Sequence, residues 1–304
     1  MWFEPSTVRV VRDAFPEWMS FVWAIFSYFG SVWFVAPAIV LCFLFGPRDR
    51  FAPWLGTVIA GYAVMVASKG YFSIDRPGYD PHIDPTVLPV GIQHVYAPLV
   101  EVSTTSFPSG HAIAGTIIWT MLALELDVGT KRVRLAAAAA MILAVGFSRI
   151  AVGLHFPIDV VVGTLIGLAL VAGILAIRRF VRERSDPHAE TTAVFAAVAV
   201  ISLLAFVVGG RIDAAALFGG SIGALAAWRY APPPADPWQY TLERTIHGLV
   251  GIVILAAGAS VLLLTDVAVV WFGAGIFAGA LIVGLPRLVE VTLESDDRDV
   301  RVGS

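Results

Sequence analysis

The sequence predicts an all-α fold, a polytopic helical bundle built for a membrane. Three observations carry this. Of 304 residues, 58% are apolar and only 14% charged, against about 25% charged in soluble domains. The apolar residues gather into long uncharged runs, with the charges collected between them. The net charge is −3, which offers no basic field, so no nucleic-acid partner is expected. A soluble globule could not bury this much apolar surface, and a disordered chain needs the opposite composition.

The first run, Trp18–Phe45, exceeds the ~20 residues that a span requires. Its aromatic-rich first part reads as an interfacial helix, and Ser31–Phe45 as the first span, because Trp and Phe favour the membrane–water boundary. Glu4, Asp13 and Glu17 precede the run and no small-residue cleavage site closes it, which argues against a cleaved signal peptide. Further spans are expected at Phe51–Ser68, Gly110–Leu126, Leu135–Phe147, Phe156–Ile177, Ala193–Val208, Ala214–Trp228, Leu249–Thr265 and Val267–Leu285, giving about nine transmembrane spans. Arg178–Thr192 is the most polar internal stretch, and the proline-rich Ala231–Pro237 reads as a second, rigid linker. The expected organisation is an N-terminal interfacial segment (1–17), a catalytic membrane domain (18–177), a cytoplasmic linker (178–192), a four-span membrane module (193–286) and an acidic cytoplasmic tail (287–304).

Orientation follows from the cations. Counted on alternate sides, fourteen of the twenty Lys and Arg fall on one side, and Arg9, Arg12, Lys69, Arg76, Arg149 and Arg211 on the other. The richer side faces the cytoplasm. The lone Cys42 sits in an apolar run and reads as a small buried hydrophobe. Small residues four apart, at Gly163–Gly167, Gly219–Gly223 and Gly275–Gly279, read as close helix packing within the chain. A homo-oligomer is not indicated.

Three clusters fall at span ends on the outward side: Lys69-x6-Arg76-Pro77, Pro108-Ser109-Gly110-His111 and Ser148-Arg149-x5-His155-x3-Asp159. Three cations on a side otherwise poor in them would repel one another unless an anion of charge near −2 lay between them. Arg offers a planar fork and Lys a mobile point charge, so phosphate fits. Ser109 and Gly110 open a helix after Pro108, where unpaired amides and the dipole favour an anion. Asp159 can accept a hydrogen bond from one nitrogen of His155, fixing the tautomer and leaving the other as a nucleophile. His111 is then free to protonate a leaving oxygen. No metal and no cofactor are needed for this division of labour.

Together these motifs resemble those of the type 2 phosphatidic acid phosphatase family, which shares its catalytic fold with vanadium haloperoxidases and bacterial acid phosphatases. The motifs cover Lys69–Asp159, and the span layout is similar over about residues 18–177. The resemblance implies a six-helix catalytic core and a metal-independent lipid phosphatase of the cell membrane, its active site on the outer face. It implies His155 as the nucleophile that becomes a phosphohistidine, Asp159 as the residue that orients it and His111 as the general acid. Lys69, Arg76, Ser109, Gly110 and Arg149 would hold the phosphoryl oxygens. The expected partners are membrane lipids and a lipid phosphate substrate, such as a polyprenyl diphosphate or phosphatidic acid. Two alternatives stay open: a lipid phosphotransferase delivering the phosphoryl group to an alcohol, and a non-catalytic lipid-binding or transport protein.

Other polar residues have plainer readings. Arg211 suits a snorkelling anchor, and His82, His94, His188 and His247 suit wet loops. The long loop from Gly78 to Phe107 is either a structured external cap or an entrance that selects headgroups, with Tyr71 and Tyr79 as candidate lining residues. The module Ala193–Leu285 shows no pattern that suggests chemistry.

Overall fold

The computed structural model describes residues 3–183, 187–234 and 265–302, with six further positions between 246 and 254, and side chains as far as Val291. Among the described residues every regular element is helical. Backbone polar groups in hydrocarbon find partners only within a helix or a closed barrel, and the apolar runs take the first option. The elements are α1 (Pro5–Asp13), α2 (Met19–Tyr28), α3 (Val32–Phe45), α4 (Arg48–Phe72), a 3-10 turn (Pro85–Val87), α5 (Val90–Val100), α6 (Gly110–Glu125), α7 (Lys131–Ala151), α8 (Pro157–Arg182), α9 (Pro187–Gly209), α10 (Ile212–Tyr230) and α11 (Ala268–Val302).

Among the described residues six helices are long and apolar enough to cross a membrane: Met19–Phe45, Arg48–Phe72, Lys131–Ala151, Pro157–Arg182, His188–Gly209 and Ala268–Val291. Eight of the nine expected segments fall on α3, α4 and α6 to α11, while Leu249–Thr265 lies largely outside the described residues. Two of the eight described segments fall short for physical reasons. Helix α6 has only 16 residues, and α10 is diluted by Gly219, Gly220, Gly223, Asp213 and Arg229. The polar stretch 178–192 is largely helical: α8 continues through Arg182, and α9 resumes at Pro187. Glu190 gathers both ends, accepting from Arg178 and, at 3.0 Å, from Arg182 Nε. Arg211 pairs at 2.8 Å with Asp213 in the first turn of α10.

The chain forms two compact units. The first comprises Met1–Ala38 and Val64–Gly173, the second Ile39–Ala63 and Ile174–Ser304. In the first, α7 packs against α1, α2 and α6, and α5 leans on α2 over a core that includes Ala24, Tyr96, Leu99 and Val152. Helix α8 presses on the start of α6 through glycines. A Cβ on Gly163 would stand 2.7 Å from the Ser109 carbonyl oxygen, and one on Gly167 3.0 Å from that of Ile113. The break between α2 and α3 lets Gly30 pass close to α6, where a Cβ would lie 2.8 Å from the His111 carbonyl oxygen.

In the second unit α10 packs against α9 and α11. The two remaining small-residue stripes meet each other here. A Cβ on Gly219 or Gly223 would fall on the Phe272 or Ile276 carbonyl, and one on Gly275 or Gly279 on that of Ala216 or Gly220. Both stripes are therefore used inside the chain, as backbones packed without an intervening side chain. Gly279→Leu is expected to force these helices apart, costing about 1–3 kcal/mol as overpacking does. Thermal unfolding in detergent reads this, and an unchanged midpoint would contradict the packing.

Candidate active site

Helices α4 and α7 end, and α6 and α8 begin, where the three motif clusters meet in the first unit. Lys69 closes α4 and is 7% exposed. Its Nζ donates to the Thr105 carbonyl and lies 3.5 Å from Thr104 Oγ1. Arg76 follows in the extended segment. Its Nε donates to the Thr104 carbonyl at 2.6 Å, and its Nη1 to the Leu154 carbonyl at 2.8 Å. The same Nη1 lies 3.2 Å from His155 Nε2.

Ser109 caps α6 and accepts from the Ala112 N–H at 3.4 Å, as an N-cap serine does. Its own N–H is given to the Asp159 carbonyl at 3.0 Å, which ties the α6 start to the first turn of α8. Gly110 has a packing reason: a Cβ there would collide with Met65 Sδ of α4. His111 Nε2 is buried and has no hydrogen-bond partner among the described residues.

His155 stands in the short connection before α8, not on that helix, and is 2% exposed. It meets Asp159 because Asp159 folds back from the first turn. Asp159 Oδ2 accepts from the Phe156 N–H at 2.9 Å, which is half of a capping box. The same oxygen lies 3.1 Å from His155 Nδ1. With Nδ1 as the donor, Nε2 keeps its lone pair and faces Arg76. Burial, then Arg76, Arg149, Lys69 and His111 in that order, hold the His155 pKa well below its ordinary value, so the imidazole is neutral. Burial also lowers the Arg76 pKa to about 10, against an opposing pull from Asp159.

Arg149 is fully buried at the end of α7. Its Nη1 donates to Ser27 Oγ and to the Leu99 carbonyl, both at 2.8 Å. Ser27 Oγ is braced in turn by Ser148 Oγ at 3.0 Å. Nε and Nη2 of Arg149 are left buried with no partner among the described residues, a guanidinium edge held out for an acceptor.

The structure brings together seven of the eight residues singled out in the sequence through hydrogen bonds or charge, with Gly110 packed beside them. It adds Thr104, Thr105, Ser106 and Ser27. Ser106 is fully buried, donates to Asp159 Oδ2 and lies 3.4 Å from His155 Nδ1. No spacing rule links a serine to a carboxylate 53 positions on; its one signal is its place two residues before Pro108. Among the described residues no three His, Cys, Asp or Glu cluster as metal ligands would. The loop 78–107 is structured, with Tyr79 Oη donating to the Pro5 carbonyl at 2.8 Å and Arg12 over its ring at 5.2 Å.

Residues 50–183, which contain every one of these motif groups, match the PAP2 superfamily. Over 81 residues the chain is 36% identical to phosphatidylglycerophosphatase B of Bacillus subtilis (strain 168), a stretch that is 25% of this chain and 40% of that relative's length. The crystal structure of Aquifex aeolicus LpxE is similar at 24% identity and a TM-score of 0.42, over 54% of this chain and 90% of that one. The matched residues contain all three cations, both histidines and Asp159, while the second unit lies mostly beyond them.

Proposed function

We propose that this chain is a membrane lipid phosphatase that hydrolyses a phosphate monoester or diphosphate of a lipid through a phosphohistidine. One observation carries the reading: His155 Nδ1 lies 3.1 Å from Asp159, with Nε2 turned toward Arg76. In the first step Nε2 of His155 forms a bond to phosphorus while the bond from phosphorus to the lipid oxygen breaks. His111 gives that oxygen its proton. In the second, water attacks phosphorus, the phosphorus–nitrogen bond breaks, His111 takes up a proton, and phosphate leaves. Each such proton transfer contributes about 10²–10⁴ in rate.

Lys69, Arg76 and Arg149 stand against the single carboxylate of Asp159, a balance that suits a phosphate dianion. Because the Ser109 N–H is already engaged, the oxygens would take the Ser109 hydroxyl and the Gly110 N–H. The cations supply the charge that a metal would otherwise provide. Residues 18–177 would form the catalytic domain, in a chain crossing the membrane about nine times with this site outward. Support comes from the cation asymmetry of the loops and from helices at eight expected segments. Phosphatidic acid, a polyprenyl diphosphate and, from the name of the Bacillus relative, phosphatidylglycerol phosphate are the substrates to try.

Phosphate release by purified protein in detergent, with excess chelator, tests this. Release from at least one of the three lipids is expected, insensitive to the chelator and blocked by vanadate as a five-coordinate mimic. No release from any of them, or indifference to millimolar vanadate, would overturn the reading. Release only when an alcohol is added would make the chain a phosphotransferase.

A further inference from the structure

We propose that Ser106 is a positioning residue of this site: its hydroxyl fixes the Asp159 carboxylate so that Asp159 can hold His155 in the nucleophilic tautomer. The inference rests on the phosphatase reading and extends it to a residue outside the three motifs.

Oδ2 of Asp159 carries three donors: the Phe156 N–H at 2.9 Å, His155 Nδ1 at 3.1 Å and the Ser106 hydroxyl. Oδ1 is buried and has no partner among the described residues. The Phe156 N–H and His155 Nδ1 belong to the same short connection and hold Oδ2 from one chain segment only. Ser106 reaches the same oxygen from a different segment, and so fixes where Oδ2 stands relative to His155 Nδ1. Ser106 is itself anchored, its N–H donating to the Ile74 carbonyl at 2.7 Å. Its hydroxyl is also 3.4 Å from His155 Nδ1, too long and too crowded to compete with Asp159 for that proton.

The same segment serves the cations. Thr104 and Thr105, the two residues before Ser106, offer acceptors to Lys69 and Arg76. One tripeptide thus sets the nucleophile's orientation and anchors two of the three cations. The segment ends the long external loop, so the loop has a reason to be structured beyond covering the site.

The test is a double-mutant cycle between Ser106→Ala and Asp159→Asn, measured on phosphate release with His155→Ala as reference. Ser106→Ala is expected to lower kcat about ten- to a hundredfold, as loss of an outer hydrogen bond to a ligating group does, with KM within twofold of wild type. In the Asp159→Asn background the same substitution should cost little more, because Ser106 acts through that carboxylate. Wild-type kcat in Ser106→Ala overturns the assignment. So does an equal loss in both backgrounds, which would mark a general structural role. Ser106→Cys, close in volume with a weak donor, replaces Ser106→Ala in the cycle if the latter does not fold. Wild-type release that persists in His155→Ala would instead overturn the phosphatase mechanism, and Ser106 with it.

Discussion

His155→Ala is expected to leave a folded protein with no measurable turnover. Removing a nucleophile that acts as a unit with its base and orienter costs on the order of 10⁶ in kcat. The reason here is geometric. Nε2 is the one nitrogen of the imidazole not committed to Asp159, and it faces the cations; alanine leaves them with an anion to hold and nothing to attack it. Phosphate should still bind the variant, since Lys69, Arg76 and Arg149 are untouched, and a phosphate-induced rise in melting temperature checks this. The pH profile supplies a second readout. Burial and the neighbouring cations keep His155 neutral well below its ordinary range, and kcat/KM reports the free enzyme. The nucleophile stays unprotonated as the pH falls through about 6.5, the ordinary histidine value. The acid limb of kcat/KM should therefore lie below that pH. Full activity in His155→Ala, or an acid limb above 6.5, would remove the nucleophile assignment.

Much of this site is legible in the sequence because membrane chemistry makes polar residues conspicuous. Lys69, Arg76, Arg149 and the two histidines stand at the ends of apolar runs, where charge is costly. The small-residue stripes were equally readable, since Gly219, Gly223, Gly275 and Gly279 have no other use than close approach. Three things were not. The four-residue spacing of His155 and Asp159 does not tell a shared helical face from the arrangement found, in which His155 precedes α8 and Asp159 reaches back as a capping residue. Ser106, Thr104 and Ser27 act through tertiary contacts with residues 28 to 122 positions away, and serine and threonine are too common in loops to stand out. In Arg178–Thr192 the sequence does not separate the buried pair of Arg178 and Glu190 from the exposed Arg179 and Arg182 beside them. Hydropathy cannot tell a paired charge from a solvated one.

Arg149 carries the other large effect. Arg149→Lys keeps the charge, yet kcat/KM is expected to fall about 10²–10³-fold, as when one preorganised donor to a developing oxyanion is lost. The guanidinium is split between two tasks. Nη1 is spent on Ser27 Oγ and the Leu99 carbonyl, which fix the plane of the fork. Nε and Nη2 remain buried and without a partner among the described residues, so they can meet two phosphoryl oxygens without reorganising. A lysine ammonium cannot satisfy the two inner acceptors and reach two outer oxygens together. The split also predicts how the loss appears in binding. Phosphate or vanadate stabilises the folded protein by RT ln(1 + [L]/Kd), and wild-type protein should melt higher as either is added. In Arg149→Lys that rise should shrink at every concentration, in step with the fall in kcat/KM. A variant that keeps the full ligand-induced shift while losing activity would mean that Arg149 supports the fold around Ser27 and Leu99 and does not hold the phosphoryl group.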